Sequence, residues 1–137
     1  RRRTHPPPPR HSENPLDRVQ PVVTKDELLQ LVQETRNVEA NDRIFDYVTT
    51  LAEATRTHPM VELGVSPRGA LALCRMAKAH AFLAGRDFVV PEDVAAVFPD
   101  VCAHRLILSA KARMMEEKAE NILAEILKSV DMPVLKA

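Results

Sequence analysis

The sequence predicts an all-α fold, a helical bundle of about five to six helices behind an extended Pro/Arg-rich N-terminal arm. Three observations carry that prediction. Apolar residues recur at helical spacing in several separate segments. Most of those segments open or close on a capping residue, a proline or a glycine. No alternating run is long enough to make a strand of a real sheet.

Residues 1–15 hold Pro6-Pro7-Pro8-Pro9 and Pro15 and almost nothing apolar, the composition of an extended linker. Pro15 to Val23 is expected to be extended as well, with Leu16, Val19, Val22 and Val23 packing along the body. Thr24 and Glu27 have capping-box spacing and start the first helix, with Leu28, Leu31, Val32 and Thr35 on one face. Asn41 or Asp42 caps the second, whose stripe is Ile44, Tyr47, Val48 and Leu51. It runs out at His58-Pro59, because a residue before proline avoids helical geometry.

A loop through Gly64 leads to the third helix, Pro67 to about Leu83. Leu71, Leu73, Cys74, Met76, Ala77, Ala81 and Phe82 cover most of its circumference, which places it centrally in a bundle. Gly85 is its left-handed cap. Phe88-Val89-Val90 reads as a short extended piece. Pro91-Glu92-Asp93 opens a fourth helix with two carboxylates where the helix dipole favours them, and Val94, Val97 and Phe98 face inward. Pro99 is expected to interrupt it, leaving Asp100 to about Leu106 as a separate short helix. The last helix covers roughly Lys118 to Val130, with Ile122, Leu123, Ile126, Leu127 and Val130 as its seam and Pro133 as its stop.

Composition narrows the function. The 137 residues suit one domain, and 45% hydrophobic content can fill a core. Net charge is zero, so nothing draws the whole chain to nucleic acid or an anionic membrane. Residues 1–20 carry five arginines against Glu13 and Asp17, which leaves 14 basic and 17 acidic side chains elsewhere. A basic arm on a mildly acidic body keeps a helical nucleic-acid-binding module as an alternative, and a passive protein-interaction domain is another. No apolar run approaches the length of a membrane span, and Arg1-Arg2-Arg3 followed by prolines is not a signal peptide. Cys74 and Cys102 sit in apolar helical contexts and read as buried free thiols of a reducing compartment. No Gly-rich loop ends in Lys-Ser/Thr, so nothing here cradles a triphosphate alone. No cysteine pair has zinc spacing and the five histidines form no ordered motif, so no metal site is expected. The absence of an initiator Met is read as the mark of a piece cut from a longer protein.

Ser66-Pro67-Arg68-Gly69 is the most telling stretch. Ser caps and Pro takes the first helical position, which puts Arg68 in the first turn, where the dipole disfavours a cation by roughly 0.3–1 kcal/mol. A cation beside free helix N–H groups is explained if an anion comes to both. From these four residues alone a solvated surface arginine stands beside a phosphate-sensing one. Arg36, Arg56, Arg75, Arg86 and Arg105 read as solvated or locally paired charges, with Arg105 the best candidate for more.

The run from Pro15 to Pro133 resembles the C-terminal helical lid of MoxR-type AAA+ ATPases. The resemblance runs through PLDRVQPVVTKDEL (Pro15 to Leu28), EATRTHPMVELGVSPRGALAL (Glu53 to Leu73), AGRDFVVPEDV (Ala84 to Val94), HRLIL (His104 to Leu108) and ILAEIL (Ile122 to Leu127). It implies an AAA+ lid at residues 16–133, a linker at 1–15 from an AAA+ core not contained in these residues, and a tail at 134–137. It implies ATP as the cofactor, with Mg2+ held by that core. Arg68 matches the sensor-2 arginine that reaches the γ-phosphate, with Ser66, Pro67 and Gly69 beside the nucleotide. It further implies a cytoplasmic, chaperone-like homo-oligomeric ring, usually a hexamer. Its subunits contact their own cores and their neighbours and act on von Willebrand factor A-domain partners, with no nucleic acid and no membrane span. The fragment alone is expected not to hydrolyse ATP, and the parent is expected to be the ATPase. Two features depart from the family. The Pro-rich arm at Thr4 to Arg10 is longer than expected, and Met115-Glu116-Glu117-Lys118 replaces the usual Gly-Leu-Thr-like start of the last helix.

Overall fold

Thr24 closes a full capping box. Its Oγ1 accepts from Glu27 N at 3.1 Å, and Glu27 Oε2 accepts from Thr24 N at 3.2 Å, which fixes the start of α1 (Lys25–Arg36). This is a computed structural model, and it describes residues 14–134. Residues 1–13 of the expected linker and 135–137 of the expected tail lie outside the described residues. After α1 come α2 (Asp42–Thr57), β1 (Val61–Leu63), α3 (Pro67–Leu83), α4 (Pro91–Cys102), β2 (Ile107–Leu108), α5 (Ala110–Met114) and α6 (Ala119–Ser129). Short 3-10 turns occupy Pro15–Arg18 and Ala103–Arg105.

The core lies between α2, α3, α4 and α6, with α3 packed most extensively on α4. Ile44, Leu51, Leu73, Val94, Phe98, Ile122 and Leu123 are all essentially removed from water, each contributing about 1.5–3 kcal/mol of hydrophobic stabilisation. The stripes read from the sequence in α2 and α6 are the ones that bury. In α3 the buried face is narrower than expected. Leu73, Ala77 and Ala81 are fully covered, while Leu71 and Met76 face solvent. The fold is otherwise the all-helical bundle anticipated, with six α-helices among the described residues.

Five local expectations need correction. The Pro15–Arg18 segment is not extended, because Asn14 Oδ1 accepts from Leu16 N at 3.1 Å and Pro15 supplies a helical φ, so a 3-10 turn forms. Leu16, Val19 and Val22 do not pack on the body and stand 69–91% exposed. The apolar face of α1 is also uncovered, with Leu28, Leu31 and Val32 exposed and no residue of the helix buried. The helix meets the bundle through α3, where Lys78 Nζ reaches Arg36 O at 3.2 Å. Pro99 does not break α4, since continuing the helix buries Phe98, Val101 and Cys102 on one face and outweighs one missing N–H bond. The expected short helix over Asp100 to Leu106 is therefore the end of α4 and a 3-10 turn.

The chain then forms a small antiparallel ribbon that the sequence reading lacked, pairing Val61 with Leu108 and Leu63 with Ile107. Ser109 N extends it to Met60 O at 2.9 Å and then caps α5, the helix absent from the reading. Glu116 follows α5 with φ 54°, the left-handed conformation that glycine adopts without strain. Gly85 takes the equivalent place after α3 with φ 77°. There Arg86 N bonds Ala81 O at 3.0 Å and Gly85 N bonds Phe82 O at 2.9 Å, the two-bond Schellman closure.

Candidate functional site

The start of α3 is set by α2. Thr55 is fully buried in α2, its Oγ1 donating to Ala52 O at 2.6 Å and accepting from Val65 N at 2.9 Å. Arg56 Nε donates to Val65 O at 2.8 Å, so two adjacent α2 residues take both backbone groups of one loop residue. Gly64 makes this approach possible, since a Cβ there would lie 2.7 Å from the Arg56 backbone and from Thr55 Oγ1. Its requirement is clearance rather than a turn of positive φ. The chain leaves Val65 in a fixed direction and enters the helix one residue later.

Ser66 then caps α3, Oγ accepting from Gly69 N at 3.2 Å, and Pro67 fills the first helical position. Arg68 is exposed and makes no hydrogen bond or ion pair with any described residue. Gly69 is buried, and a Cβ on it would meet Val65 Cγ1 at 2.7 Å and Arg105 Cδ at 3.3 Å. Val65 and Arg105 fill the space beside Gly69. Arg105 is anchored there by Nε to Val101 O at 2.9 Å.

The other end of α3 carries the strongest polar cluster. Asp93 is 1% exposed at the third position of α4. Arg86 donates Nη1 to Oδ2 at 2.7 Å and Nη2 to Oδ1 at 2.6 Å. Val90 N donates to Oδ2 at 2.8 Å, and His80 Nδ1 lies 2.7 Å from Oδ1. Burial pushes the Asp93 carboxyl up, but the bonds from Arg86, Val90 N and His80 pull it further down, to about 2. The cluster clamps the end of α3, the following loop and the start of α4. The sequence reading saw Asp93 only as a carboxylate near a helix N-terminus and gave Arg86 a bland role. The signal was there in Arg86 and Asp93 seven residues apart across a Gly-capped turn.

His58 is held between the loop after α2 and α6. Its Nδ1 accepts from Met60 N at 3.2 Å and its Nε2 lies 3.6 Å from Glu125 Oε2. Cys102 is fully buried, and burial pushes its thiol up to about 11, so it is inert near neutral pH. Among the described residues no cluster of His, Cys, Asp and Glu is placed to hold a metal ion, and no helix is long and apolar enough to cross a membrane.

The sequence model of the AAA lid domain family matches residues 53–126, a span that includes both α3 ends and their supports. The chain belongs to the AAA lid domain family. Among curated relatives it is 39% identical over 124 residues to the protein YeaC of Bacillus subtilis, covering 90% of this chain and 39% of that one. It is 32% identical over 125 residues to the chaperone MoxR1 of Mycobacterium tuberculosis, covering 85% and 33%. A solved structure assigned to an ATPase of Cytophaga hutchinsonii superposes with a TM-score of 0.78 at 31% identity, over 84% of this chain and 38% of that one. The lid is therefore of the MoxR type, and the chain spans 33–39% of the length of these relatives.

Proposed function

We propose that this lid serves a MoxR-type AAA+ ATPase and presents Arg68 as its sensor-2 arginine. One observation carries the reading. Arg68 is an exposed guanidinium, unpaired among the described residues, in the first turn of a Ser-capped helix whose entry is held by Thr55 and Arg56. Nothing else among the described residues explains a cation held at the positive end of a helix dipole.

The residues present fit one end of a nucleotide and no more. Arg68 offers a planar fork of donors matched to phosphate oxygens, and the α3 dipole favours the same anion. Ser66 holds the cap, Pro67 sets the helix direction, and Gly69 seats the helix start close against Val65 and Arg105. ATP, with Mg2+ held by an AAA+ core, supplies the phosphoryl group transferred to water. Arg68 stabilises charge on the terminal phosphate during that transfer and loses its contact once the phosphate has gone, so lid position follows nucleotide state. The parent is a cytoplasmic homo-oligomeric ring, hexameric by this reading. It acts on partner proteins as a chaperone, von Willebrand factor A-domain proteins among them. Residues 1–15 join the lid to its core, 16–133 form the lid and 134–137 a tail.

ATP turnover by the full-length protein, wild type against Arg68→Ala, tests this. Loss of a charge-assisted phosphate contact costs about 1.5–3 kcal/mol, about ten- to a hundredfold in rate, with the thermal melt unchanged. Unchanged turnover would make the domain a packing or docking piece without a nucleotide role.

A further inference from the structure

Eight large apolar side chains stand exposed between Leu16 and Val32, four of them in α1. Leu28, Leu29, Leu31 and Val32 make a wide stripe on that helix, and Asp26, Gln30, Gln33 and Glu34 occupy the opposite side. A helix of 12 residues is marginal in water by itself, and covering its apolar side is what stabilises it. The bundle does not cover this one. Thr35 is the single residue of α1 that is even partly buried. Just beyond the helix Val38 enters the core, and Lys78 Nζ fastens Arg36 O at 3.2 Å. The helix is therefore held at its C-terminal end, its start is fixed by the capping box of Thr24 and Glu27, and its apolar side is left open among the described residues.

Single exposed apolar residues are ordinary, whereas a continuous run of them marks an interaction surface. Two facts choose the occupant. The chain spans 33–39% of the length of its relatives, so most of a protein of that length lies outside the described residues. The exposed run also lies directly after residues 1–15, which join the lid to its core in the reading above. A domain tethered so closely acts at an effective concentration on the order of millimolar, far above that of a second, untethered copy.

We propose that the Leu16–Val32 surface, centred on the α1 stripe, is the docking face for the AAA+ core of its own chain, and that the core's matching surface is apolar. This rests on the lid reading above. The experiment follows hydrogen exchange of the α1 amides in the full-length protein and in the 137-residue chain, for wild type, Leu28→Asp, Val32→Asp and, on the polar side, Gln33→Glu, with a melt of each. In wild type the α1 amides are expected to exchange at least about tenfold more slowly in the full-length protein. Leu28→Asp and Val32→Asp are expected to remove that difference while leaving the melt of the 137-residue chain within about 3 °C, and Gln33→Glu to alter neither. Equal exchange in the two wild-type proteins, a comparison that needs no variant to fold, would overturn the inference. The lid reading is decided separately by the turnover of Arg68→Ala. Protection that disappears when the full-length protein is diluted to monomers would assign the face to another copy and also overturn the inference.

Discussion

Asp93→Asn removes one charge from the most enclosed polar cluster and changes almost no volume. The cost follows from the structure. The carboxyl is held at about 2 against an ordinary 3.8, a gap worth about 2 kcal/mol at neutral pH. Breaking a buried pair by removing one partner costs about 3–5 kcal/mol, and the 28% exposure of the Arg86 side chain moderates that to about 2–4 kcal/mol. For a domain of this size that is a fall in melting temperature of about 10 °C. Acid gives an independent check with a defined sign. A depressed carboxylate stabilises the fold above its unfolded pKa, and that contribution is lost as pH falls from about 4 to about 2. Wild type should lose about 2 kcal/mol across that window that Asp93→Asn does not lose. A thermal melt at pH 7, with urea unfolding followed by circular dichroism at pH 7, 4 and 2.5, reads both. A melting change under about 3 °C, with parallel acid losses in the two proteins, would refute the clamp.

Two further expectations are simpler. Glu116→Gly should stabilise the domain by about 1 kcal/mol in the same urea experiment, because a non-glycine residue is held at φ 54° after α5. Leu28→Asp and Val32→Asp should each change the unfolding free energy in that experiment by no more than about 0.5 kcal/mol, since both positions of α1 are exposed.

The helices with strong stripes were legible because their apolar periodicity and their caps agree. Thr24, Asn41 and Ser66 start their helices, and Gly85 closes α3, where their chemistry says they should. Misreadings came where tertiary burial competed with a local rule. Pro99 is a breaker by itself, yet Phe98, Val101 and Cys102 needed the helix to continue. The stripe on α1 looked like a core face because periodicity says that a side is apolar, not what covers it. At the candidate site, the Ser66 cap and the place of Arg68 in the first turn of α3 were readable from four letters, since capping is local. The contacts of Thr55, Arg56 and Arg105 were not, because their partners Val65, Val101 and Gly69 are joined to them by hydrogen bonds and by clearances at glycines.

The most direct measurement is a crystal structure of the full-length protein with Mg2+ and a non-hydrolysable ATP analogue, beside one with ADP. The account predicts an Arg68 terminal nitrogen at about 2.7–2.9 Å from a γ-phosphate oxygen in the first and no phosphate contact from Arg68 in the second. An Arg68 side chain left in solvent, or bonded to a protein carboxylate, with the analogue bound would contradict it.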